Sequence, residues 1–166
     1  EALLELVKTP HGDRLFLITD ALRVGATKEQ LFEACAVDPW FLEQLQRIVT
    51  MEGRLVEEGL GAGILRAAKR LGLSDARIAT VVGKTEAEIR TLRKKHDIIP
   101  SYRNVDTCAA EFPAQTPYLY GTYDGPPGAE IPVTDRKKVI ILGGGPNRIG
   151  QGIEFDSCCV PASFAL

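Results

Sequence analysis

SDARIATVVGKTEAEIRTLRKKH, from Ser74 to His96, reads as two short helices with a tight turn between them. The Ser74 hydroxyl can accept from a free N–H of the first turn, which makes it an N-cap. Ile78, Val81 and Val82 then recur at helical spacing. Gly83 supplies the turn. Thr85-Glu86-Ala87-Glu88 fits a capping box, in which the threonine and the glutamate each satisfy a backbone donor of the other. The helix it opens turns Ile89 and Leu92 inward.

The same grammar continues upstream, so that residues 1 to about 100 read as helix throughout. Thr9-Pro10 resembles an N-cap followed by proline at the first helical position. Leu15, Ile18 and Leu22 follow at helical spacing, and Gly25 stops the run. Thr27-Lys28-Glu29-Gln30 is a second capping box, with Leu31, Ala34 and Cys35 inward. Asp38-Pro39 caps a helix whose face is Leu42, Leu45 and Ile48. A further helix runs from about Gly63 to Leu71 and ends at Gly72.

At an offset of 47 residues, as from Thr27 to Ser74, these pieces superimpose. Arg23 falls on Arg70, Gly25 on Gly72, Leu31 on Ile78, Ala34 on Val81, Leu42 on Ile89 and Leu45 on Leu92. Caps and core faces coincide while exposed positions do not. Two copies of one helix–turn–helix unit, each burying its stripe against the other, fit this pattern. Two unrelated hairpins obeying the same rules of helix capping are the alternative. The second copy also has the outline of a nucleic-acid-binding helix-turn-helix, with Arg90, Arg93, Lys94 and Lys95 available to phosphate. Against this, recognition helices read bases with their N-terminal residues, here Glu86 and Glu88. Basic residues in a last turn offset the helix dipole without any partner. The first copy carries Glu29, Glu33, Asp38 and Glu43, which repel DNA.

Beyond His96 the character changes. Residues 97–136 hold six prolines and four tyrosines and read as extended chain or coil. Arg103–Phe112 is semi-apolar and suited to pack across the helices. Tyr118, Tyr120 and Tyr123 alternate loosely, as in a short strand. Asp124–Gly128 reads as an exposed linker. After it, Val139-Ile140-Ile141-Leu142 suits a fully buried strand, Gly143-Gly144-Gly145 a sharp turn, and a helix is expected from about Gly150. Strand, glycine loop and helix are one crossover short of a βαβ unit, so a piece of a longer protein is expected.

Candidate chemistry is sparse. GGGPNRIGQG is not the dinucleotide fingerprint: Gly143 and Gly145 supply its first two glycines, but Arg148 stands at the third position. The backbone around Gly143, Gly144, Gly145 and Asn147, with the Arg148 side chain, could hold an anion; equally, the loop could serve only to pack strand against helix. Glu154 and Asp156 suit the start of the final helix and form no obvious acid/base pair. His11 and His96 lack a paired nucleophile or acid and read as surface or helix-end residues. Cys35 lies on an apolar stripe, Cys108 reads as a packed thiol, and the adjacent Cys158 and Cys159 are badly placed to bond to each other. There is no CxxC, so neither zinc nor another metal is expected. The net charge of −2, with 45% hydrophobic and 25% charged residues, gives no general pull toward nucleic acid or membrane. No apolar run approaches the ~20 residues of a membrane span.

VDTCAAEFPAQTPYLYGTYD (Val105–Asp124) and ILGGGPNRIGQGIEFDSCCV (Ile141–Val160) closely resemble the large subunit of carbamoyl phosphate synthetase, and DPWFL (Asp38–Leu42) and the second-copy helices fit as well. The resemblance implies a mainly α fold: a helical oligomerisation domain over residues 1–122 containing the two related units, a linker over 123–136, and the truncated α/β start of a pre-ATP-grasp subdomain over 137–166. It implies an ATP-dependent ligase that makes carbamoyl phosphate for pyrimidine and arginine biosynthesis. In that family the helical domain joins two homologous synthetase halves, and the second half phosphorylates carbamate. ATP and magnesium, with potassium as a further candidate, are implied for the full-length enzyme and bind in ATP-grasp segments outside this chain. No catalytic residue is therefore carried over, and no cofactor is expected here. The implied partners are the rest of the large subunit, a glutamine amidotransferase small subunit and further copies through the helical domain, in the cytoplasm or a plastid stroma. Two residues depart from the family pattern: Ser157 replaces a usual Tyr and Pro161 a usual His. A proline inside the last helix, expected over about Gly152–Leu166, should bend or end it near Cys158–Val160.

Overall fold

The helix starts marked by Thr27, Asp38, Ser74 and Thr85 are found where their capping motifs place them. In the computed structural model, which describes residues 2–106, 108–112, 119–125, 128–130, 134–142 and 161–166, α3 (Lys28–Cys35) and α7 (Glu86–Lys95) open on reciprocal capping boxes. The Thr27 and Thr85 hydroxyls accept from the Gln30 and Glu88 amides, and the Gln30 and Glu88 side chains accept in return. Ser74 accepts from the Arg77 amide at the start of α6 (Asp75–Val82), and Asp38 from that of Trp40 at the start of α4 (Pro39–Glu57). The remaining helices are α1 (Ala2–Leu6), α2 (Arg14–Arg23) and α5 (Ala62–Arg70).

The helix expected after Thr9-Pro10 begins instead at Arg14, and Leu15 is exposed. The cause is local. Residues 11–13 form their own turn, with the Arg14 amide donating to the His11 carbonyl. The Arg14 side chain then reaches back to the carbonyls of Val7 (2.7 Å) and Cys35 (2.7 Å), tying α1 and α3 to the start of α2.

The offset of 47 is a structural repeat. α2–α3–α4 matches α5–α6–α7, and Lys28–Cys35 maps residue for residue onto Asp75–Val82. The left-handed residue after α3 is Ala36 (φ 54°) and its equivalent after α6 is Gly83 (φ 68°). The buried positions agree too: Ile18 with Leu65, Ala21 with Ala68, Leu31 with Ile78 and Leu42 with Ile89. The copies do not, however, bury their stripes against one another as the sequence suggested. Each has its own core, one around Val7, Ile18, Leu22, Leu31 and Leu42, the other around Leu55, Leu65, Ile78, Ile89 and Ile98. The long α4 explains this. Its 19 residues span ~28 Å, so that Leu42, Leu45 and Val49 serve the first core while Ile48, Met51 and Leu55 serve the second.

After the helices, β1 (Ser101–Asn104) pairs antiparallel with β2 (Leu119–Thr122) and parallel with β3 (Gly128–Ala129), in the order β2-β1-β3. Residues 108–112 do not pack across the helices: Phe112 is exposed. The Asp106 carboxylate accepts from the amides of Cys108 (2.9 Å) and Ala110 (2.6 Å) and winds the segment into a self-contained turn.

The chain divides into two compact units, Glu1–Glu130 and Ile131–Leu166. In the second, Val139, Ile140 and Leu142 are exposed and belong to no strand, contrary to the buried strand expected. Such a strand is buried only between neighbours, and none pairs with it among the described residues. Residues 161–165 are helical, and Pro161 is the first described residue of that stretch. The part of the expected Gly152–Leu166 helix that precedes Pro161, and the glycine loop, lie outside the described residues.

Candidate functional site

Gly143, Gly144, Gly145, Asn147 and Arg148, the candidate anion loop, lie outside the described residues, as do Cys158, Cys159, Glu154 and Asp156. Among the described residues no group of three or more His, Cys, Asp or Glu side chains could hold a metal ion. His11 caps its own turn, its Nδ1 accepting from the Asp13 amide, and His96 is the C-cap of α7. Cys35 is buried. Among the described residues of the first unit, two buried ion networks and two surface features stand out.

The first network joins the copies. Glu52, on the C-terminal half of α4, is buried between Arg23 of the first copy (Nε–Oε2 2.9 Å) and Arg77 of the second (Nε–Oε1 2.7 Å). Burial opposes its charge, but the bonds from Arg77 and Arg23 outweigh burial and hold the carboxyl below its ordinary range.

The second network ties the sheet to the second copy. Asp75 is buried at the first turn of α6, with Lys69 Nζ 2.8 Å from Oδ1 and Arg93 3.0 Å from Oδ2. Lys69 also donates to the Leu73 carbonyl and Arg93 to that of Ile98. Both cations stand against the face of Tyr123, at 4.9 and 5.7 Å from the ring centroid. Here too burial works against ionisation, and the two cationic partners prevail, so the Asp75 carboxyl is held low. Beside it the Ser101 hydroxyl donates to the Asp124 carbonyl, and Arg70 pairs with the Asp124 carboxylate.

Sequence reading missed Glu52, Asp75 and Lys69. The repeat carries the signal for one of them: Lys69 falls on the core position Leu22, and a lysine on an apolar stripe calls for a buried acid.

The surface features lie on α4 and α7. Trp40 and Phe41 are 62% and 57% exposed at the first turn of α4, with their rings 5.0 Å apart edge to face. Phe32 on α3 is exposed as well. In the second copy the positions of Trp40 and Phe41 are held by Ala87 and Glu88. There a shallow groove of about 430 Å³ is lined by Lys84, Ala87, Glu88, Thr91, Leu92 and Lys95. Of the basic residues that could have met phosphate, Arg93 is buried on Asp75 and Arg90 pairs with Glu86. The second copy therefore presents no recognition helix with a free arginine row.

Residues 1–97 match the family described as carbamoyl-phosphate synthetase large chain, oligomerisation domain, and residues 135–166 match the carbamoyl phosphate synthase preATP-grasp domain. The chain belongs to the carbamoyl phosphate synthase large-chain family. It is 52% identical over 164 residues to the carbamoyl phosphate synthase large chain of Rhizobium meliloti, covering 95% of this chain and 14% of that protein. The corresponding large chain of Brucella melitensis is 50% identical over 171 residues (99% and 15%), and that of Clavibacter michiganensis 52% over 167 residues (100% and 15%). This sequence thus spans about one-seventh of the length of the curated carbamoyl phosphate synthase relatives it matches. Within it, the match to the oligomerisation domain covers both helical copies, and the preATP-grasp match covers the segment that holds the glycine loop. No helix among the described residues is long and apolar enough to cross a membrane.

Proposed function

We propose that this chain is the oligomerisation and scaffold region of the large subunit of a glutamine-dependent, ATP-dependent carbamoyl phosphate synthase, and is not catalytic alone. The observation that carries the reading is the match of residues 1–97 to the family's oligomerisation domain. The exposed aromatics of the first copy support it. The domain limits proposed are 1–122, 123–136 and 137–166. ATP and magnesium belong to the whole enzyme, as do the amidotransferase small subunit and the remainder of the large subunit, in the bacterial cytoplasm or a plastid stroma. The loop Gly143–Arg148 is kept as an anion-binding candidate.

Two measurements test this. Sedimentation of the 166-residue chain over a concentration series should show self-association; a monomer throughout overturns the oligomerisation role. The same protein should hydrolyse no ATP above background, and turnover that disappears on removing residues 137–166 would overturn the non-catalytic assignment.

A further inference from the structure

A cleft of about 630 Å³ lies between α4 and the C-terminal half of α5, with Asp124 on its wall. Its lining divides by chemistry. Met51, Ala67 and Leu71 supply apolar surface, while Arg47, Arg54 and Arg70 supply three guanidinium groups. We propose that this cleft binds a small organic phosphate, a monoester whose flat apolar body lies on Met51, Ala67 and Leu71 and whose phosphate takes the arginines. The site is separate from the glycine loop and does not depend on the oligomerisation reading.

Placement comes first. Arg47, Thr50 and Arg54 follow one another at three and four residues, so they share one face of α4. Arg70 meets that face from α5. The charges come next. Glu43 on the cleft wall is paired with Lys28, Arg54 with Glu58, and Arg70 with Asp124. Arg47 has only the neutral Gln44 Oε1, at 2.9 Å, so one positive charge is left over. Donors are left over as well. Among the described residues, both Nη nitrogens of Arg70, Nη1 of Arg54, and Nε and Nη2 of Arg47 make no hydrogen bond. The Arg54–Glu58 and Arg70–Asp124 pairs are about half exposed and hold their arginines weakly. An entering anion therefore gains guanidinium donors without breaking a buried pair. A phosphate monoester suits three arginines better than a carboxylate does. It carries roughly −1.5 to −2 charge and three acceptor oxygens, and the guanidinium fork matches phosphate two bonds at a time. The cleft volume lies within the ~300–1,000 Å³ of small-molecule sites, which are apolar surfaces with a few placed polar groups. The acids Glu43, Glu58 and Asp124 around it oppose a long polyanion such as nucleic acid, and leave room for one compact phosphate.

The test is calorimetric titration of the 166-residue chain with 1-naphthyl phosphate, and with its two halves, 1-naphthol and inorganic phosphate. The ester should bind one to one and more tightly than either half. R47A/R70A should weaken it by at least about tenfold, the scale of losing charged hydrogen bonds, with unchanged helical circular dichroism. R66A, which removes an arginine of α5 that does not line the cleft, should leave it as in the parent. Nuclear magnetic resonance of the parent needs no variant: the amide signals of Thr50, Met51 and Leu71 should move with the ester at saturation. No binding of the ester up to millimolar concentration overturns the site. So does equal binding by R47A/R70A, or a response of those amides no larger than elsewhere on the surface. Naphthol or inorganic phosphate binding as tightly as the ester overturns the two-part recognition.

Discussion

Replacing Asp75 by alanine should be among the most damaging single changes in the chain. The substitution leaves Lys69 and Arg93, 6% and 9% exposed, without their shared counter-charge. Breaking a buried pair in this way costs about 3–5 kcal/mol, because the stranded charges cannot return to water. Here the cations keep the Leu73 and Ile98 carbonyls and the Tyr123 ring, which favours the lower figure. A loss of about 3 kcal/mol is a large part of the 5–15 kcal/mol typical of a domain. In urea it should lower the unfolding midpoint, followed by helical circular dichroism, by roughly 1–3 M. Removing all three charges together, as K69M/D75L/R93L, should recover most of the loss, since no charge is then stranded. A loss below about 1 kcal/mol for D75A, the range of an exposed pair, would refute the reasoning and mean that Lys69 and Arg93 are hydrated.

Four further changes probe the repeat. Glu52 and Asp75 are both held below their ordinary range, so the stability they confer is complete above about pH 4–5 and is lost as pH falls through their folded-state values; E52Q should be less stable than the parent at neutral pH, with the difference narrowing on acidification in thermal melts. Thr85→Ala removes the hydroxyl of a capping box and should cost about 1 kcal/mol in urea unfolding. The glycines divide by backbone: Gly25→Ala, at φ +92°, should destabilise by about 1–2 kcal/mol, whereas Gly53→Ala, inside α4 with open space around its new methyl, should stabilise by about 0.5–1 kcal/mol.

Caps and stripes were legible because they are local. A threonine three residues before a glutamine or glutamate needs only its own turn to form a box, and Thr27, Ser74 and Thr85 all act as read. The spacing of 47 was legible for the same reason. Long-range partners were not. Nothing near Arg14 in sequence points to the Cys35 carbonyl, and that bond is part of why α2 starts at Arg14 and not after Pro10. Nor did the string around Asp106 announce that its carboxylate collects the amides of its own turn. The division of the core into two depends on the length of α4, which the short Leu42–Ile48 stripe understated. The aromatic pair was quoted within DPWFL for its likeness to the family, but exposure is a property of the folded surface and not of the string.

The two cores sit at different phases of α4. Leu42, Leu45 and Val49 point one way from the helix axis, and Ile48, Met51 and Leu55 point about a third of a turn away, at ~100° per residue. The angle between the copies is therefore an arithmetic property of the chain. One residue inserted near Thr50 would swing one copy about the rod by ~100° and push it along by ~1.5 Å, drawing Glu52 away from either Arg23 or Arg77. α4 works as a keyed shaft, with Glu52 as the key.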